Sequence, residues 1–321
     1  MLYYDQKITD GEMMENNSID EILERLPAHI RSPLQQCRNL YKDKATEIVL
    51  RSDRPVTVYC GKDYYVVLNS GVMSDSADNA DSVISSHSDI ESTILRLCDY
   101  SVYAYQQEIN NGFITIGSGV RVGLSGRAVV QNGRITNIRD VTTLSFRIAR
   151  DVLGCSEGLI DKVDPLKGVL ICGEPGSGKT TLIRDYARHL GYIHRVSVLD
   201  ERGELTAYNR GDFGFDTGLC DVFVGYPKAQ AAYSAIRSMS PELIVCDELG
   251  DENDFRMLQD ALRCGVAFIA SVHASSLGDL ESRRTTADYV RSGAFGSIVF
   301  LSGKGQVGRI REIIEIGEND D

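Results

Sequence analysis

Five apolar stretches in the second half of the chain have the pattern of buried strands. Each is a short run of aliphatic and β-branched residues that ends in a polar residue or glycine. Unbroken apolar strands are typical of a mostly parallel sheet that helices cover on both faces. The pattern therefore predicts an α/β domain over residues 146–321, with its ligand at the carboxyl ends of the strands. The five stretches are GVLICG (168–173), HRVSVLD (194–200), ELIVCDEL (242–249), VAFIASVHA (266–274) and SIVFLS (297–302).

The first half of the chain has shorter apolar runs and different periodicities. A capping box from Ser18 to Glu21 predicts a short helix that ends at Pro27. Residues 45–69 hold three β-rich runs separated by turn residues, and they predict a small antiparallel sheet. Residues 73–88 are rich in Ser and Asp, which is the composition of an exposed loop.

A longer helix is predicted over residues 89–109, because apolar residues recur there at helical spacing after a second capping box, Ser88–Glu91. The glycine-punctuated stretch 112–138 predicts a β-meander, and Asn132-Gly133 within it predicts a type I′ hairpin turn. Residues 1–145 are therefore expected to form a smaller N-terminal α+β domain.

The loop after the first buried strand has the spacing of a phosphate-binding (Walker A) loop. It reads G-x-x-x-x-G-K-T, in which glycines let successive N–H groups point inward and the helix N-terminus adds partial positive charge. Lys179 is predicted to reach the outer phosphates of ATP, and the Thr180 hydroxyl to bind Mg²⁺. The expected binding residues are Gly173, Glu174, Pro175, Gly176, Ser177, Gly178, Lys179, Thr180 and Thr181.

Polar residues at the ends of later strands complete the predicted site. Asp247 is expected to hold Mg²⁺ in the manner of a Walker B strand, and Glu248 to orient and deprotonate the attacking water. His273 is a candidate sensor of the γ-phosphate, although a lone histidine is more often a hydrogen-bonded structural residue. The segment Asp200–Arg202 also ends a predicted strand, so its polar side chains are further candidates for the same site.

Composition limits the classes of protein to which the chain can belong. With 321 residues, 42% hydrophobic and 25% charged, it has the composition of a soluble globular protein of two domains. No apolar run is long enough to span a membrane, and the acidic start lacks the core of a signal peptide. The eight cysteines form no C-x-x-C pair and are expected to be reduced, in the cytoplasm.

Charge is unevenly distributed along the chain. The net charge of −12 argues against a general attraction to nucleic acid. Residues 101–150 are the exception, with six basic and two acidic side chains. They form either a solvated strand face or a surface that meets a phosphate or an acidic neighbouring subunit. The six are Arg121, Arg127, Arg134, Arg139, Arg147 and Arg150.

The order of these motifs resembles that of RecA-like secretion ATPases, the superfamily of type II and type IV pilus motors. The chain more closely resembles the stage III sporulation protein AA family, over residues 45–313. One departure is Val120, where that family commonly has His before the "RVG" segment. The stretches that carry the resemblance are GFITIGSGVRVGLSG, SFRIARDVLG, GVLICGEPGSGKTTLIRDYARHL, VLDERGEL, YPKAQAAYSAIRSMSPELIVCDELG and GVAFIASVHASSLGDL.

The resemblance implies a RecA-like P-loop ATPase domain that uses ATP and Mg²⁺ within a homo-oligomeric ring, expected to be a hexamer. It also implies that the protein works with membrane proteins of a sporulation channel between mother cell and forespore. The protein is then expected to reach the membrane only through these partners. Related secretion ATPases hold nucleotide between their two domains, so Arg121 and Arg147 are candidate arginine fingers.

Two other functions remain open from the sequence. A nucleic-acid-dependent ATPase of RecA type would need a basic track of many phosphate contacts, whereas only one short basic segment is available. A nucleotide-gated scaffold that barely turns ATP over is the second, and an intact Glu248 argues against it.

Overall fold

The computed structural model describes residues 17–117, 119–131, 133–148, 152–209, 211–250, 252–303 and 308–316. These residues form two compact units that divide between residues 150 and 151, except that residues 209–212 belong to the first. The boundary expected between residues 145 and 146 lies within a strand that continues to Arg147.

The first unit is built on one antiparallel sheet. Its strands are β1 (Glu47–Arg51), β2 (Arg54–Pro55), β3 (Thr57–Cys60), β4 (Asp63–Val67), β5 (Met73–Ser74), β6 (Ile84–Ser85), β7 (Phe113–Ile116), β8 (Val120–Gln131) and β9 (Arg134–Arg147). Seven of them pair in the order β5-β4-β3-β1-β9-β8-β7, and β2 pairs with β6 separately. Pairing of β1 with β9 therefore joins the predicted small sheet and the predicted meander into one sheet.

Helices cover one face of this sheet. Alternate residues such as Ile48, Leu50 and Phe146 are fully buried in one apolar cluster with Ile22 and Leu34, as expected for strands whose side chains alternate between two faces. The helices are α1 (Asn17–Arg25), α2 (Ala28–Gln36), α3 (Arg38–Tyr41), α4 (His87–Leu97) and α5 (Gln106–Asn110).

The helix predicted over residues 89–109 is wrong in both its start and its length. The N-cap of α4 is Ser86, which forms a capping box with Asp89 in place of the expected Ser88–Glu91 pair. The chain then leaves the helix at Asp99 and Tyr100, whose φ values of 47° and 61° are left-handed and end a right-handed helix. A 3₁₀ turn over Val102–Tyr105 follows, and α5 begins after it.

Two other local predictions have mixed outcomes. A short helix is present where the first capping box predicts one, but it ends at Arg25, and Pro27 is the N-cap of the unpredicted α2. Strands β8 and β9 do form a hairpin, with Gln131 opposite Arg134. Asn132 of the predicted type I′ turn lies outside the described residues.

The second unit is built on a mostly parallel sheet. Its strands are β10 (Val169–Cys172), β11 (Val196–Asp200), β12 (Tyr208–Asn209), β13 (Asp212–Phe213), β14 (Asp221–Val224), β15 (Leu243–Glu248), β16 (Ala267–Val272), β17 (Ser297–Leu301) and β18 (Ile310–Glu315). The sheet has the order β14-β11-β15-β16-β10-β17-β18, while β12 and β13 pair with each other. All pairings in the large sheet are parallel except that of β17 with β18, which confirms the predicted mostly parallel sheet.

Apolar clusters cover both faces of the parallel sheet. Leu170 and Phe268 belong to one cluster, whereas Val169, Ile171 and Ile269 belong to the other. Burial on both faces is the reason that these strands have unbroken apolar sequences. The helices of this unit are α6 (Glu157–Ile160), α7 (Lys179–Gly191), α8 (Lys228–Ser238), α9 (Glu252–Arg263), α10 (Leu277–Ser282) and α11 (Arg284–Arg291). None of the helices in the described part of the chain is long and apolar enough to cross a membrane.

Candidate functional site

The strand order brings the predicted site residues to one edge of the parallel sheet. Strands β15, β16 and β10 are neighbours, with Glu248 opposite Ser271 and Cys172 opposite Val272. The carboxyl ends of parallel strands meet at the same edge. Glu248, His273 and the loop that begins at Gly173 therefore lie next to one another.

Glycine is required at several positions of the loop between β10 and α7. Gly176 and Gly178 have φ values of 79° and 93°, which side chains with a Cβ rarely adopt. A Cβ at Gly173 would lie 2.4 Å from the Ser177 hydroxyl oxygen, so only glycine allows the loop to close so tightly. The loop has the backbone conformation of a cradle at a helix N-terminus, the arrangement that binds phosphate groups.

Lys179, the first residue of α7, directs its amino group back into this loop. Its Nζ atom donates to the carbonyl oxygens of Gly173 at 2.8 Å and Glu174 at 3.1 Å, and lies 2.9 Å from Nδ1 of His273. Burial lowers the pKa of Lys179, although the charges of Glu248 and Asp247 act in the opposite direction. Among the described residues, the hydrogen-bond partners of this buried cation are neutral oxygens and an imidazole, so it is well placed to attract an anion.

Thr180 and Asp247 together offer oxygen ligands for a divalent cation. The Thr180 hydroxyl donates to Oδ1 of Asp247 at 3.2 Å. Burial raises the pKa of Asp247, and the nearby charge of Glu204 raises it further. A carboxylate destabilised by burial gains from a cation, and a hydroxyl with a carboxylate oxygen is the donor set that Mg²⁺ prefers. These two residues therefore fit the magnesium role that their sequence positions predict.

Glu248 and His273 are in contact, which connects the predicted base to the phosphate loop. Oε1 of Glu248 lies 3.2 Å from Nε2 of His273. The tautomer with its proton on Nε2 satisfies the contacts with Lys179 and Glu248, because Nδ1 then accepts from Lys179 while Nε2 donates to Glu248. Next to Glu248 lies a cavity of about 590 Å³, whose lining comes from the ends of β11 and β15 and from α8 and α9.

At the carboxyl end of β11, the carboxylate of Asp200 has a mainly structural role. Asp200 is 1% exposed and accepts hydrogen bonds from the amides of Glu204 and Thr206 and from the Thr206 hydroxyl. Its carboxylate thus organises the turn that follows β11. Glu201 and Arg202 line the cavity beside Glu248.

Two residues beside the site were not predicted from the sequence. Lys228 at the start of α8 and Asp254 in the first turn of α9 form an ion pair of 2.9 Å next to the Glu248 main chain. Acidic and basic residues near helix ends are common for electrostatic reasons alone. Nothing in their spacing indicates that they pair.

Arg121 and Arg147 lie side by side in the first unit. They are directly opposite each other on β8 and β9, and Glu47 of β1 is opposite Arg147 on its other side. The Arg121 guanidinium lies 4.4 Å from the centre of the Phe113 ring, and Arg147 is exposed. Arg127 forms an exposed ion pair with Asp140 at 2.8 Å, as expected for a solvated strand. Arg150 lies outside the described residues.

A buried carboxylate on α7 holds the helix that follows the phosphate loop. Asp185 is 1% exposed and accepts from the Ser156 amide at 2.8 Å, from the Ser156 hydroxyl at 2.7 Å and from Arg188 at 2.9 Å. Burial by itself would raise the pKa of Asp185, but these hydrogen bonds outweigh it and the pKa is lowered. The carboxylate therefore links α7 to the segment before β10.

Replacing Asp185 by Asn is expected to lower the free energy of unfolding by about 3 kcal/mol, because one carboxylate oxygen becomes an NH₂ group that must face the donors of either Ser156 or Arg188. Since the folded-state pKa is the lower one, this stabilisation is complete above the unfolded pKa of about 4 and is lost as pH falls through the folded value. Urea unfolding at several pH values measures it. The exposed Asp161→Asn serves as control and should change stability by less than about 0.5 kcal/mol. An equal loss in both variants at neutral pH would contradict the assignment.

Comparison with known proteins identifies the family of the chain. Residues 16–319 match the family model described as sporulation stage III, protein AA. The chain is 33% identical over 305 residues to the stage III sporulation protein AA of Bacillus subtilis strain 168, covering 91% of this chain and 94% of that protein.

The fold is similar to those of two proteins of known structure. The ATPase DotB of Legionella pneumophila has a TM-score of 0.54 at 15% identity, covering 91% of this chain and 78% of that one. The pilus retraction motor PilT with bound ADP has a TM-score of 0.53 at 14% identity, covering 82% and 77%. The predicted fold class, a RecA-like P-loop ATPase domain preceded by a smaller α+β domain, is confirmed. The chain therefore belongs to the stage III sporulation protein AA family.

Proposed function

We propose that this protein is a Mg²⁺-dependent ATPase that assembles into a ring and energises a membrane channel of secretion type during sporulation. Its ATP site is the loop of residues 173–181 with Asp247, Glu248 and His273. Family membership and the secretion-ATPase fold support the proposal.

The observation that carries it is that two sets of contacts lie side by side at the sheet edge, on the neighbouring residues 179 and 180 and 247 and 248. The Lys179 amino group contacts His273, His273 contacts Glu248, and Thr180 contacts Asp247. The candidate phosphate-binding cation is thus linked to the candidate base through His273, and the candidate metal-ligand pair lies at the residues next to them in sequence. This is the set of groups that phosphoryl transfer to water requires.

Each residue has a defined task in the proposed hydrolysis. The loop amides and Lys179 bind the β- and γ-phosphates and hold the γ-phosphoryl group in place. Thr180 and Asp247 would hold Mg²⁺, which when bound neutralises charge on the phosphate oxygens. Glu248 orients the attacking water and takes its proton, and its carboxylate is 43% exposed, so that water reaches it.

His273 is suited to sense the γ-phosphate because it contacts both the phosphate-binding lysine and the base. When Lys179 turns to a γ-phosphate, its hydrogen bond to Nδ1 of His273 changes, and this alters the contact of Nε2 with Glu248. The occupancy of the phosphate loop is thereby coupled to the position of the base.

Arg121 and Arg147 are the proposed arginine fingers. Their adjacent positions on β8 and β9 put two guanidinium groups on one face of the first unit. In a ring, one of them would reach the γ-phosphate bound by a neighbouring subunit and stabilise the charge that develops in the transition state. Hydrolysis would then depend on assembly.

Measuring phosphate release against protein concentration tests this arrangement. Turnover per subunit should rise with concentration, and Arg121→Ala or Arg147→Ala should lower it by about 10³-fold or more, the contribution of an arginine finger. Mixing the inactive arginine variant with inactive Lys179→Ala should restore part of the activity, because the second still donates an arginine.

The matched control is Arg127→Ala, which removes an exposed arginine already paired with Asp140 and should leave turnover unchanged. Full activity in both Arg121→Ala and Arg147→Ala would exclude them as fingers. Turnover that is independent of concentration throughout the assembly range would exclude action between subunits.

Assembly and location follow from the same proposal. We propose a homohexamer in the mother-cell cytoplasm, bound peripherally to the membrane proteins of the channel to the forespore. The described helices include none that could span a membrane, so contact with the membrane is assigned to these partners. The net charge of −12 disfavours nucleic acid as the partner.

A further inference from the structure

A buried ion pair joins the starts of helices α8 and α9 beside the proposed ATP site. Lys228 is the first residue of α8 and Asp254 lies in the first turn of α9. The Lys228 amino group lies 2.9 Å from Oδ2 of Asp254, and the two side chains are only 18% and 9% exposed. Neither residue has a task in the hydrolysis described above.

Both members of the pair also bind the main chain that follows the catalytic carboxylate. The Lys228 amino group donates to the carbonyl oxygen of Glu248. Oδ2 of Asp254 accepts from the amide of Gly250 at 2.8 Å. Residues 248–250 are therefore held at each end by one member of a single ion pair.

The strand pairing that leads to Glu248 is irregular. The register of β15 with β16 shifts between Val245 and Glu248, which is a β-bulge. Such bulges interrupt the ladder and redirect a side chain, often next to an active site. Beyond the bulge, the Leu249 amide donates to the Ser271 carbonyl oxygen at 2.8 Å, and the Lys228–Asp254 pair adds contacts to the Glu248 carbonyl oxygen and the Gly250 amide.

Lys228 remains charged in this buried place because of its partner. Burial lowers the pKa of Lys228, but the hydrogen bond to Asp254 and the nearby acidic groups outweigh this, so the pKa is raised overall. A buried charge is costly unless it is paired and hydrogen-bonded. Lys228 therefore keeps its positive charge beside Asp254.

We propose that Lys228 is a positioning residue for Glu248. With Asp254 it fixes the main chain of residues 248–250 beyond the bulge, and this sets the direction in which the Glu248 carboxylate points. The inference rests on the proposed ATP hydrolysis, in which Glu248 is the base. Lys228 also lines the cavity beside Glu248, and in this proposal it acts through the Glu248 main chain.

Lys228→Met tests the proposal because it removes the amino group and retains the apolar stem. Turnover should fall about 10- to 100-fold, the effect of a small displacement of a catalytic group, with the dissociation constant for Mg-ATP unchanged. Lys228→Arg should recover much of the loss. The control Lys162→Met changes an exposed lysine and should leave turnover and binding as in the wild type.

A double-mutant cycle separates positioning from a general structural effect. In a Glu248→Gln background, Lys228→Met should cause little further loss of turnover, because the group that it positions is already gone. Losses that multiply in the double variant would overturn the proposal. If Lys228→Met does not fold, Lys228→Gln replaces it in the double-mutant cycle, because glutamine keeps a neutral hydrogen-bond donor.

Amide hydrogen exchange tests, without reference to ATP turnover, whether the Lys228–Asp254 pair holds the main chain of residues 248–250. In Lys228→Met the amides of Leu249 and Gly250 should exchange faster, while those of α7 stay as in the wild type. Unchanged exchange at both amides would contradict the claim that Lys228 holds this segment, even if the enzyme is active. Wild-type protein that releases no phosphate would instead contradict the proposed function, and the exchange result would still decide whether Lys228 holds this segment.

Discussion

Replacing Glu248 by Gln is expected to lower the rate of ATP turnover by about 10²- to 10⁴-fold, which is the usual contribution of a general base. Glutamine has nearly the same shape as glutamate, but it cannot take a proton from water. Its amide can keep a contact with Nε2 of His273 through its oxygen. Phosphate release under saturating Mg-ATP measures the loss.

The binding of nucleotide provides the control for this variant. Glu248→Gln should bind Mg-ATP at least as tightly as the wild type, because neither the phosphate loop nor the Thr180–Asp247 pair changes. Wild-type turnover in Glu248→Gln would show that another group is the base. A matched loss of binding and turnover would show that Glu248 contributes to binding only.

Lys179→Ala should abolish measurable nucleotide binding. The variant loses the buried cation of the loop, and each charge-assisted hydrogen bond to phosphate contributes about 1.5–3 kcal/mol. Two such bonds correspond to a loss of more than about 100-fold in affinity. Isothermal titration with Mg-ATP measures it directly.

The same substitution also removes the three contacts that the Lys179 amino group makes within the protein. Thermal unfolding must therefore show that the variant is folded, and Lys162→Ala, at an exposed position, controls for the loss of a positive charge. Unchanged affinity in folded Lys179→Ala would contradict the assignment of the loop as the phosphate site.

The parallel sheet and the residues of the candidate site could be predicted because their physical causes are local. Strands covered on both faces must be apolar throughout, so β10, β15 and β16 stand out in the sequence. Polar residues at their carboxyl ends are then brought together by the sheet itself. The contacts of Lys179 with His273 and of Thr180 with Asp247 follow from strand order.

Features that depend on distant contacts were missed. Strand β14 lies within a glycine-rich stretch where the apolar pattern predicts no strand, and only its pairing with β11 makes it a strand. Helix α2 contains Pro33, which locally argues against a helix, yet Ile30 and Leu34 are buried in the core of the first unit. Tertiary packing outweighs local propensity in such places.

The break after α4 and the Lys228–Asp254 pair were also beyond sequence reasoning. Apolar residues continue at helical spacing through residues 102–105, so the pattern shows no sign of the left-handed turn at Asp99 and Tyr100. Lys228 and Asp254 are 26 positions apart on separate helices. Only the folded arrangement of α8 and α9 brings them together beside Glu248.

Sedimentation velocity of Glu248→Gln is the most direct test of the central claim, a nucleotide-dependent ring. With Mg-ATP the variant keeps its bound nucleotide and should sediment as one closed oligomer, whereas without nucleotide it should sediment as smaller species. Lys179→Ala should remain small under both conditions. A sedimentation coefficient that ATP leaves unchanged in Glu248→Gln, at saturating nucleotide and over a wide range of protein concentration, would contradict the claim.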